Sequence, residues 1–368
     1  MCINQGRVLS SVLKIPEVKM EPCALCRNQA NKERVRAYWD AIDSASTNEL
    51  PDVAASCLAE NFCWKGPAPL GVIVGPRSLA ERMLIPLKQA MPDMKRQIHL
   101  FMGGQSVNHV DADACDAYWV AGTGYLSGMA CQDFLGIPAI EHPLRIRWSE
   151  FIRFDGDIMI ESQMILDFVD WFDQIGLSVL PKSRGAEHVF PVATGFDGVL
   201  TESENSDETA QTLRLGHDLL YGGLNGFDQN ALVSMGMADY FHPNLKWYGP
   251  GGIGACLSFS EFEQFHQKPW LDAFPDRKVV GIESLFAEGR LLAASGVAGV
   301  EATHTGSYLG EKASGASLKI SGIDFWLRSD GQFTENWVFV DMIDLFKQMG
   351  IDLFERMAML RDRKRSIQ

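Results

Sequence analysis

A chain of 368 residues, 46 % hydrophobic and 22 % charged, is long enough for two soluble globular domains, each with its own core. Its formal net charge of −14 argues against nucleic acid and anionic membrane as partners, since both need a basic footprint; small molecules or other proteins remain. No basic start leads into an apolar run of signal-peptide length, and no uninterrupted apolar stretch reaches about 18 residues, so no membrane span is expected and the cytoplasm is the default location.

In chain order, residues 1–30 read as an irregular extension. Val35, Tyr38-Trp39 and Ile42 then recur at helical spacing, as do Leu213, His217, Leu220-Tyr221 and Leu224 much later. A second helix is expected over Asp52–Leu58, echoed by Asn230–Tyr240. A short strand ends at Trp64-Lys-Gly66-Pro67, echoed by Trp247-Tyr-Gly249-Pro250. Ser78-x-x-Glu81 and Ser258-x-x-Glu261 are capping boxes that open a third helix, and Pro86 and Pro269 predict a kink or break inside it. Extended segments follow at 95–102, 117–126, 144–154 and 158–166, and again at 278–286, 291–305, 318–327 and 333–340. Asp155-Gly156 and Asp330-Gly331 are hairpin turns before the last strand of each set. Each set closes with an amphipathic helix.

The two series are copies. Glu161 and Glu335, Asp167 and Asp341, and Gly176 and Gly350 share one offset of 174 residues, as do Leu135-Gly136 and Leu309-Gly310. Upstream, the Trp-x-Gly-Pro turns, Pro86 with Pro269 and Pro92-Asp93 with Pro275-Asp276 share an offset of 183. The expected layout is an extension 1–30, a first domain 31–181, a linker 182–210 crossing the surface, a second domain 211–358 and a charged tail 359–368. Helices first and strands afterwards make the fold class α+β.

The turn Asp330-Gly331, the strand with Glu335-x-Trp337, Asp341 and Gln348-Met-Gly350 together resemble the SnoaL-like polyketide cyclases of the nuclear-transport-factor-2-like superfamily. His304-Thr-Gly306 with Leu309-Gly310, Phe134-Leu-Gly-Ile-Pro138 and His242-Pro243 fit the same pattern. The resemblance covers nearly all of both repeats. It implies two cone-shaped domains, each a curved antiparallel sheet wrapped by helices around an apolar pocket. Family members commonly dimerise through their sheets, so the tandem implies an intrachain pseudo-dimer, with a further homodimer left open. Activities on this fold include aldol ring closure, isomerisation, dehydration and epoxide hydrolysis, and some relatives only bind; the fold does not choose among them.

Asp167 and Asp341 directly precede apolar-periodic helices, with Asp170 and Asp344 three positions on, the pattern of N-caps with first-turn acids. The resemblance places the family's acid/base carboxylate three residues before that cap, where Met164 and Val338 stand, and neither transfers a proton. Alternation along the preceding strand puts Asp324, Trp326 and Arg328 on one face, which by the family pattern is the pocket face. A carboxylate walled by Trp326 has its pKa raised and suits general acid or base work; an Asp324 paired with Arg328 or Lys319 is the alternative. His304, in the His-x-Gly strand, has the second proton-transfer group's chemistry, or is a structural histidine. Trp64, Trp247 and Trp326 are candidates for an aromatic wall, with Asn336, Val338 and Met164 beside them. Arg145 and Arg147 are expected on the pocket side, able to hold a carboxylate or phosphate, or else on a solvated face.

No cofactor and no metal are expected. The eight cysteines lack framework spacing, and Cys23-Ala-Leu-Cys26 has no second ligand pair. Gly249-Pro-Gly-Gly-Ile-Gly254 satisfies G-x-G-x-x-G but contains Pro250 and reads as a turn, and no nucleophile elbow, P-loop or zinc-protease motif occurs. The sequence therefore points to a cofactor-independent acid/base enzyme of cyclase, isomerase or lyase type, acting on a small apolar cyclic or carbonyl-containing substrate through Asp324 and His304. The alternative is a non-catalytic small-ligand-binding or scaffold protein with degenerate pockets.

Overall fold

In the computed structural model, residues 22–107, 117–227 and 235–367 are described. The first helix, Pro22–Ser44, buries Val35, Tyr38, Trp39 and Ile42. It begins well before the expected Asn31, so residues 22–30 are helical. The helix extends because its first turns have a partner in the other half: Lys32 pairs with Glu288 at 2.6 Å, and Asn28 donates to Glu288 Oε1 and to the Gly103 carbonyl. The remainder of the expected extension lies outside the described residues.

The strands number thirteen among the described residues. In the first half they are β1 (Leu58–Lys65), β2 (Val72–Val74), β3 (Lys95–Gln105), β4 (Tyr118–Met129), β5 (Pro143–Asp155) and β6 (Ile158–Leu166). In the second they are β7 (Phe241–Tyr248), β8 (Ala255–Cys256), β9 (Lys278–Val279), β10 (Ser284–Glu288), β11 (Leu291–Thr303), β12 (Ser317–Ser329) and β13 (Gln332–Val340). One sheet runs β2-β1-β6-β5-β4-β3 and the other β8-β7-β13-β12-β11-β10, with β9 also on β11. The two orders superimpose strand for strand. The expected four-strand meander is the antiparallel part; β1 and β7 join it by parallel pairing to β6 and β13. The expected strand 278–286 is split, because β11 bulges between Gly296 and Val300 and its far end pairs with β9.

Neither proline breaks its helix. Each lies two residues after a π turn, Ala80–Leu84 before Pro86 and Phe262–Gln267 before Pro269. Proline has no N–H and its ring crowds the carbonyl four residues back, and a wider turn relieves both. The repeated Leu-Gly pairs are likewise conformational: Leu135, Gly136, Leu309 and Gly310 all have positive φ, in tight turns that pair Phe134 with Ile137 and Tyr308 with Glu311. Asp167 and Asp341 cap the closing helices, accepting from the amides of Asp170 and Asp344 at 3.0 Å. Of the expected helix 230–240, residues 230–234 lie outside the described residues and Met237–Tyr240 is helical. The charged tail continues the helix Leu353–Ile367.

The two curved sheets pack face to face as a pseudo-dimer within one chain. Odd-numbered residues of β5 and β12 supply the layer between them: Phe151 meets Phe325 at 5.4 Å and Phe286 at 5.9 Å, and Leu100, Met102, Trp119, Ile323 and Trp337 join them. Even-numbered residues face the helices of their own half. The connecting segment does not cross over the surface. Phe190, Ala193 and Leu200 are buried in the layer between the sheets, because these apolar side chains fill space that polar linker residues could not. It ends at Asn205, whose side chain accepts from Asp207 and Glu208 amides and starts the helix Ser206–His217.

Candidate functional site

Strand alternation on β12 sends Gly322, Asp324 and Trp326 toward the helices of the second half, and there they meet a cavity of about 170 Å³. Its wall is mostly apolar, with Phe241, Trp247, Phe262, Trp270 and Trp326 among the lining. Its polar side chains are those of His266, Gln267, Arg277, Asp324 and Asn336.

Asp324 is enclosed by protein yet presents surface to the cavity. Burial pushes its carboxyl up to about 7, opposed by a long contact of 3.4 Å from the Asn336 amide, which is itself anchored to the Phe325 carbonyl at 2.9 Å. It pairs with neither Arg328, which binds Glu208 and Thr212, nor Lys319, whose partner is Glu301. Arg277, just after the helix Lys268–Ala273, is buried beside Met235, whose sulfur it contacts at 3.0 Å. Burial lowers it to about 10, and no carboxylate among the described residues pairs with it. His266, on the π turn, stacks on Trp247 with ring centres 4.1 Å apart. Burial, then the nearby Arg277 charge, lower its imidazole to about 3, so it is neutral, and its Nδ1 lacks a hydrogen-bond partner. Gln267, also lining the cavity, and the Trp326 indole N–H are buried without partners. Several donors are thus left unspent around an apolar space, an arrangement that costs stability unless a ligand completes it.

Of the residues singled out from sequence, Asp324, Trp247, Trp326, Asn336 and Val338 come together here. His304 does not. It lies just beyond the end of β11, fully buried, bonded through Nδ1 to Ser314 and packed on Phe274, and it is absent from the cavity wall. Burial lowers its pKa, and its contacts with Ser314 tie the end of β11 to the loop that follows. Trp64 belongs to the other half and cannot share a wall with Trp247 and Trp326. Met164 lies there too, beside Trp64, and also borders the cleft between the halves. Arg145 and Arg147 are on the opposite face of β5 from the pocket: Arg145 is exposed, with its guanidinium over the Tyr125 ring, and Arg147 is buried against the second half. The expected pocket side is therefore corrected for both arginines: Asp324 corresponds at the 174 offset to Glu150, an even position, and the odd positions of β5 face the other sheet.

Glu150 is the residue that the same arithmetic could have found. It is buried, accepts from Trp39 Nε1 at 2.8 Å and Ser162 Oγ at 2.7 Å, and burial raises its pKa against the pull of Arg96. The cavity around it is only about 30 Å³. His266 and Arg277 carried a weaker signal: at the 183 offset they stand opposite Met83 and Met94, polar in one copy and apolar in the other. Among the described residues no group of three His, Cys, Asp or Glu is placed to hold a metal ion, and no helix is long and apolar enough to cross a membrane.

No curated protein matches the chain. Among solved structures, one assigned as a SnoaL-like polyketide cyclase, from Jannaschia sp. CCS1, is 18 % identical, with 40 % of this chain and 96 % of that one covered and a TM-score of 0.35. AclR from Streptomyces galilaeus, assigned as a hydroxylase, is 21 % identical over 39 % of this chain and 97 % of its own, with a TM-score of 0.32. IdmH from Streptomyces antibioticus, assigned as a polyketide cyclase, is 18 % identical over 38 % and 99 %, with a TM-score of 0.31. The family model of SnoaL-like polyketide cyclases matches residues 233–349, which run from beside Met235 through β13 to the end of the capped helix. The matched residues include Asp324, Trp247, Trp326, His266 and Arg277, so most of the cavity wall lies in the stretch that resembles the SnoaL-like polyketide cyclases.

Proposed function

We propose that the second half is a cofactor-independent acid/base catalyst of the cyclase, isomerase or lyase type, acting on a small, largely apolar cyclic or carbonyl-containing substrate. The observation that carries this reading is Asp324, a carboxyl poised at about 7, facing an apolar cavity that also contains Arg277, which no carboxylate among the described residues pairs. A general base works best when its pKa lies near the working pH. The Asp324 carboxylate takes a proton from the carbon beside a carbonyl, and the C–H electron pair moves onto the carbonyl oxygen as an enolate. Arg277 supplies positive charge for that oxygen, and neutral His266 supplies a hydrogen bond. Return of the proton at a different carbon completes an isomerisation; attack of the enolate carbon on a second carbonyl closes a ring.

This assignment differs from the family's usual placement, since Val338 and Met164 occupy the positions of its carboxylate. That replacement also supports a second reading, a ligand-binding protein without turnover. A turnover screen on cyclic ketones, enones and epoxides separates the two. Catalytic product formation that Asp324→Asn abolishes supports the enzyme. Saturable binding with no product beyond background supports the binder, and full activity in Asp324→Asn removes the site assignment.

A further inference from the structure

The two halves meet across a pseudo-twofold axis that duplicates a set of bonds. Asp167 Oδ2 accepts from the Gly251 amide of the second half at 2.8 Å, and Asp341 Oδ2 accepts from the Ala68 amide of the first half at 2.9 Å. Asp167 N donates to Arg147 O and Asp341 N to Ser321 O, both at 3.1 Å. Gln174 grips the backbone of Arg145 and donates to Asp170 Oδ2; Gln348 does the same with Lys319 and Asp344 Oδ2. The two frames therefore superimpose bond for bond, and Ser321 is the structural counterpart of Arg147.

In the first frame the Arg147 guanidinium fills the space. It donates to the Gly249 carbonyl at 2.9 Å and lies 3.2 Å from Asp170 Oδ1 and 3.5 Å from Asp167 Oδ2. The connecting segment covers it. His188 bonds Asp170 Oδ1 at 2.9 Å, Phe190 lies over the guanidinium at 5.5 Å, and Ala186 bridges to Ala255. Burial alone raises Asp170; the His188 bond and then Arg147 overcome it and hold it low.

Among the described residues the connecting segment covers this frame only. At the other, Val72, which corresponds to Ala255 at the 183 offset, is exposed, Ser321 offers no cation, and a cleft of about 350 Å³ opens between the halves. Asp341, Asp344, Gly66 and Ser321 line it. Asp341 is buried, and burial pushes its carboxyl up to about 6 against the bonds from the Asp344 and Ala68 amides, while Asp344 Oδ1 receives no hydrogen bond from the described residues. Lys65 and Lys347 line the same cleft, but Lys65 is held by Glu161 at 2.8 Å and Glu283 at 3.0 Å. We propose that this interdomain cleft is a binding site for a guanidinium compound, seated between Asp341, Asp344 and the Gly66 carbonyl as Arg147 is seated in the duplicate frame. A planar fork of donors matches two carboxylates and a carbonyl better than an ammonium does. This site is separate from the Asp324 cavity and holds whether or not that cavity turns over substrate.

The test is a titration of the full chain with methylguanidine and, as the neutral isostere, methylurea, followed by the backbone amide resonances of Ala68, Asp341 and Asp344. Saturable shifts with methylguanidine and none with methylurea are expected. Asp344→Asn should weaken the binding at least roughly tenfold by removing the charge while keeping the side-chain shape. Ser321→Arg should abolish it by supplying the guanidinium from the chain, as Arg147 does. Equal response to the two probes, no response from wild type, or undiminished binding in both variants overturns the proposal. Should Ser321→Arg not fold, the Asp344→Asn titration decides alone.

Discussion

The cavities of the two halves are built on the same strands and differ in how far their polar groups are satisfied. In the first half, Glu150 takes two short hydrogen bonds, from Trp39 and Ser162, and Arg96 is clamped by Asp43 through two bonds of 2.9 and 3.1 Å. Arg96 also lies over Trp39 and Trp148, and the packed side chains leave about 30 Å³. In the second half the corresponding carboxylate has one contact of 3.4 Å, the nearby arginine has no acid among the described residues, and about 170 Å³ stays open. A buried polar group completed by its own protein rigidifies the core, and one left incomplete costs folding energy that a ligand or a transition state can return. The same scaffold thus holds a closed core in one copy and a reactive pocket in the other.

The largest effect expected is from Asp324→Asn, which should lower kcat/KM by roughly a hundredfold to ten-thousandfold, the usual contribution of a positioned base. In wild type, kcat/KM should rise with pH and level off above about 7, because the base acts ionised. Stability should run the other way. The folded pKa of about 7 lies above the ordinary aspartate value of 3.8, so between those limits the folded state holds a proton that the unfolded state has lost. Wild type should therefore lose stability as pH rises from about 4 to about 7, and Asp324→Asn should flatten that loss. Thermal melts at several pH values measure it. A rate profile that falls through the same range would make Asp324 an acid rather than a base.

Next comes Arg277→Met, which copies the first half's Met94. It should lower kcat/KM by roughly tenfold to a hundredfold through loss of the oxyanion's charge partner. It should also raise stability, by about 1–3 kcal/mol, by removing a buried cation that no described carboxylate pairs. An inactive variant that is also less stable would mean that Arg277 is held by the structure and not reserved for a ligand.

The interdomain frames yield a smaller, purely structural contrast. Asp167→Ala removes a helix cap and leaves Arg147 with Asp170 alone, a loss of roughly 3 kcal/mol or more. Asp341→Ala removes a cap and the Ala68 bond with no cation stranded, a loss of about 1–2 kcal/mol. Equal losses in denaturant titrations would show that Arg147 contributes little on its side.

Much of this was legible before any coordinates. Offsets of 174 and 183 gave the duplication, and hairpin Asp-Gly pairs and capping acids located the last two strands and the closing helix. Asp324, Trp247 and Trp326 reached one cavity because alternation along a strand is a local rule. What failed depended on distance across the fold. His304 follows the same strand pattern but lies near its far end, beyond a bulge that pattern does not announce. Arg147 looked like a pocket residue until its parity was set against Glu150. The connecting segment read as polar and exposed, although Phe190 and Leu200 were its signal for burial. Arg277 and His266 sit on a loop and a π turn, which carry no periodicity to place a side chain.

The smallest effect expected is on turnover in Glu150→Gln, and it tests the comparison from the closed side. Glutamine keeps the shape, can still accept from Trp39, and loses the charge that faces Arg96. Loss of a charge-assisted hydrogen bond should cost about 1–3 kcal/mol of stability. Turnover should stay within about twofold of wild type, because a space near 30 Å³ holds about one water molecule and excludes a cyclic substrate. A fall in kcat comparable to that of Asp324→Asn, in a variant that melts as wild type does, would place chemistry in both halves. The packing of Trp39 over Glu150 would then have to open during turnover, and Trp39→Ala, which empties that space, should raise kcat in a protein of that kind and leave it unchanged in the one described above.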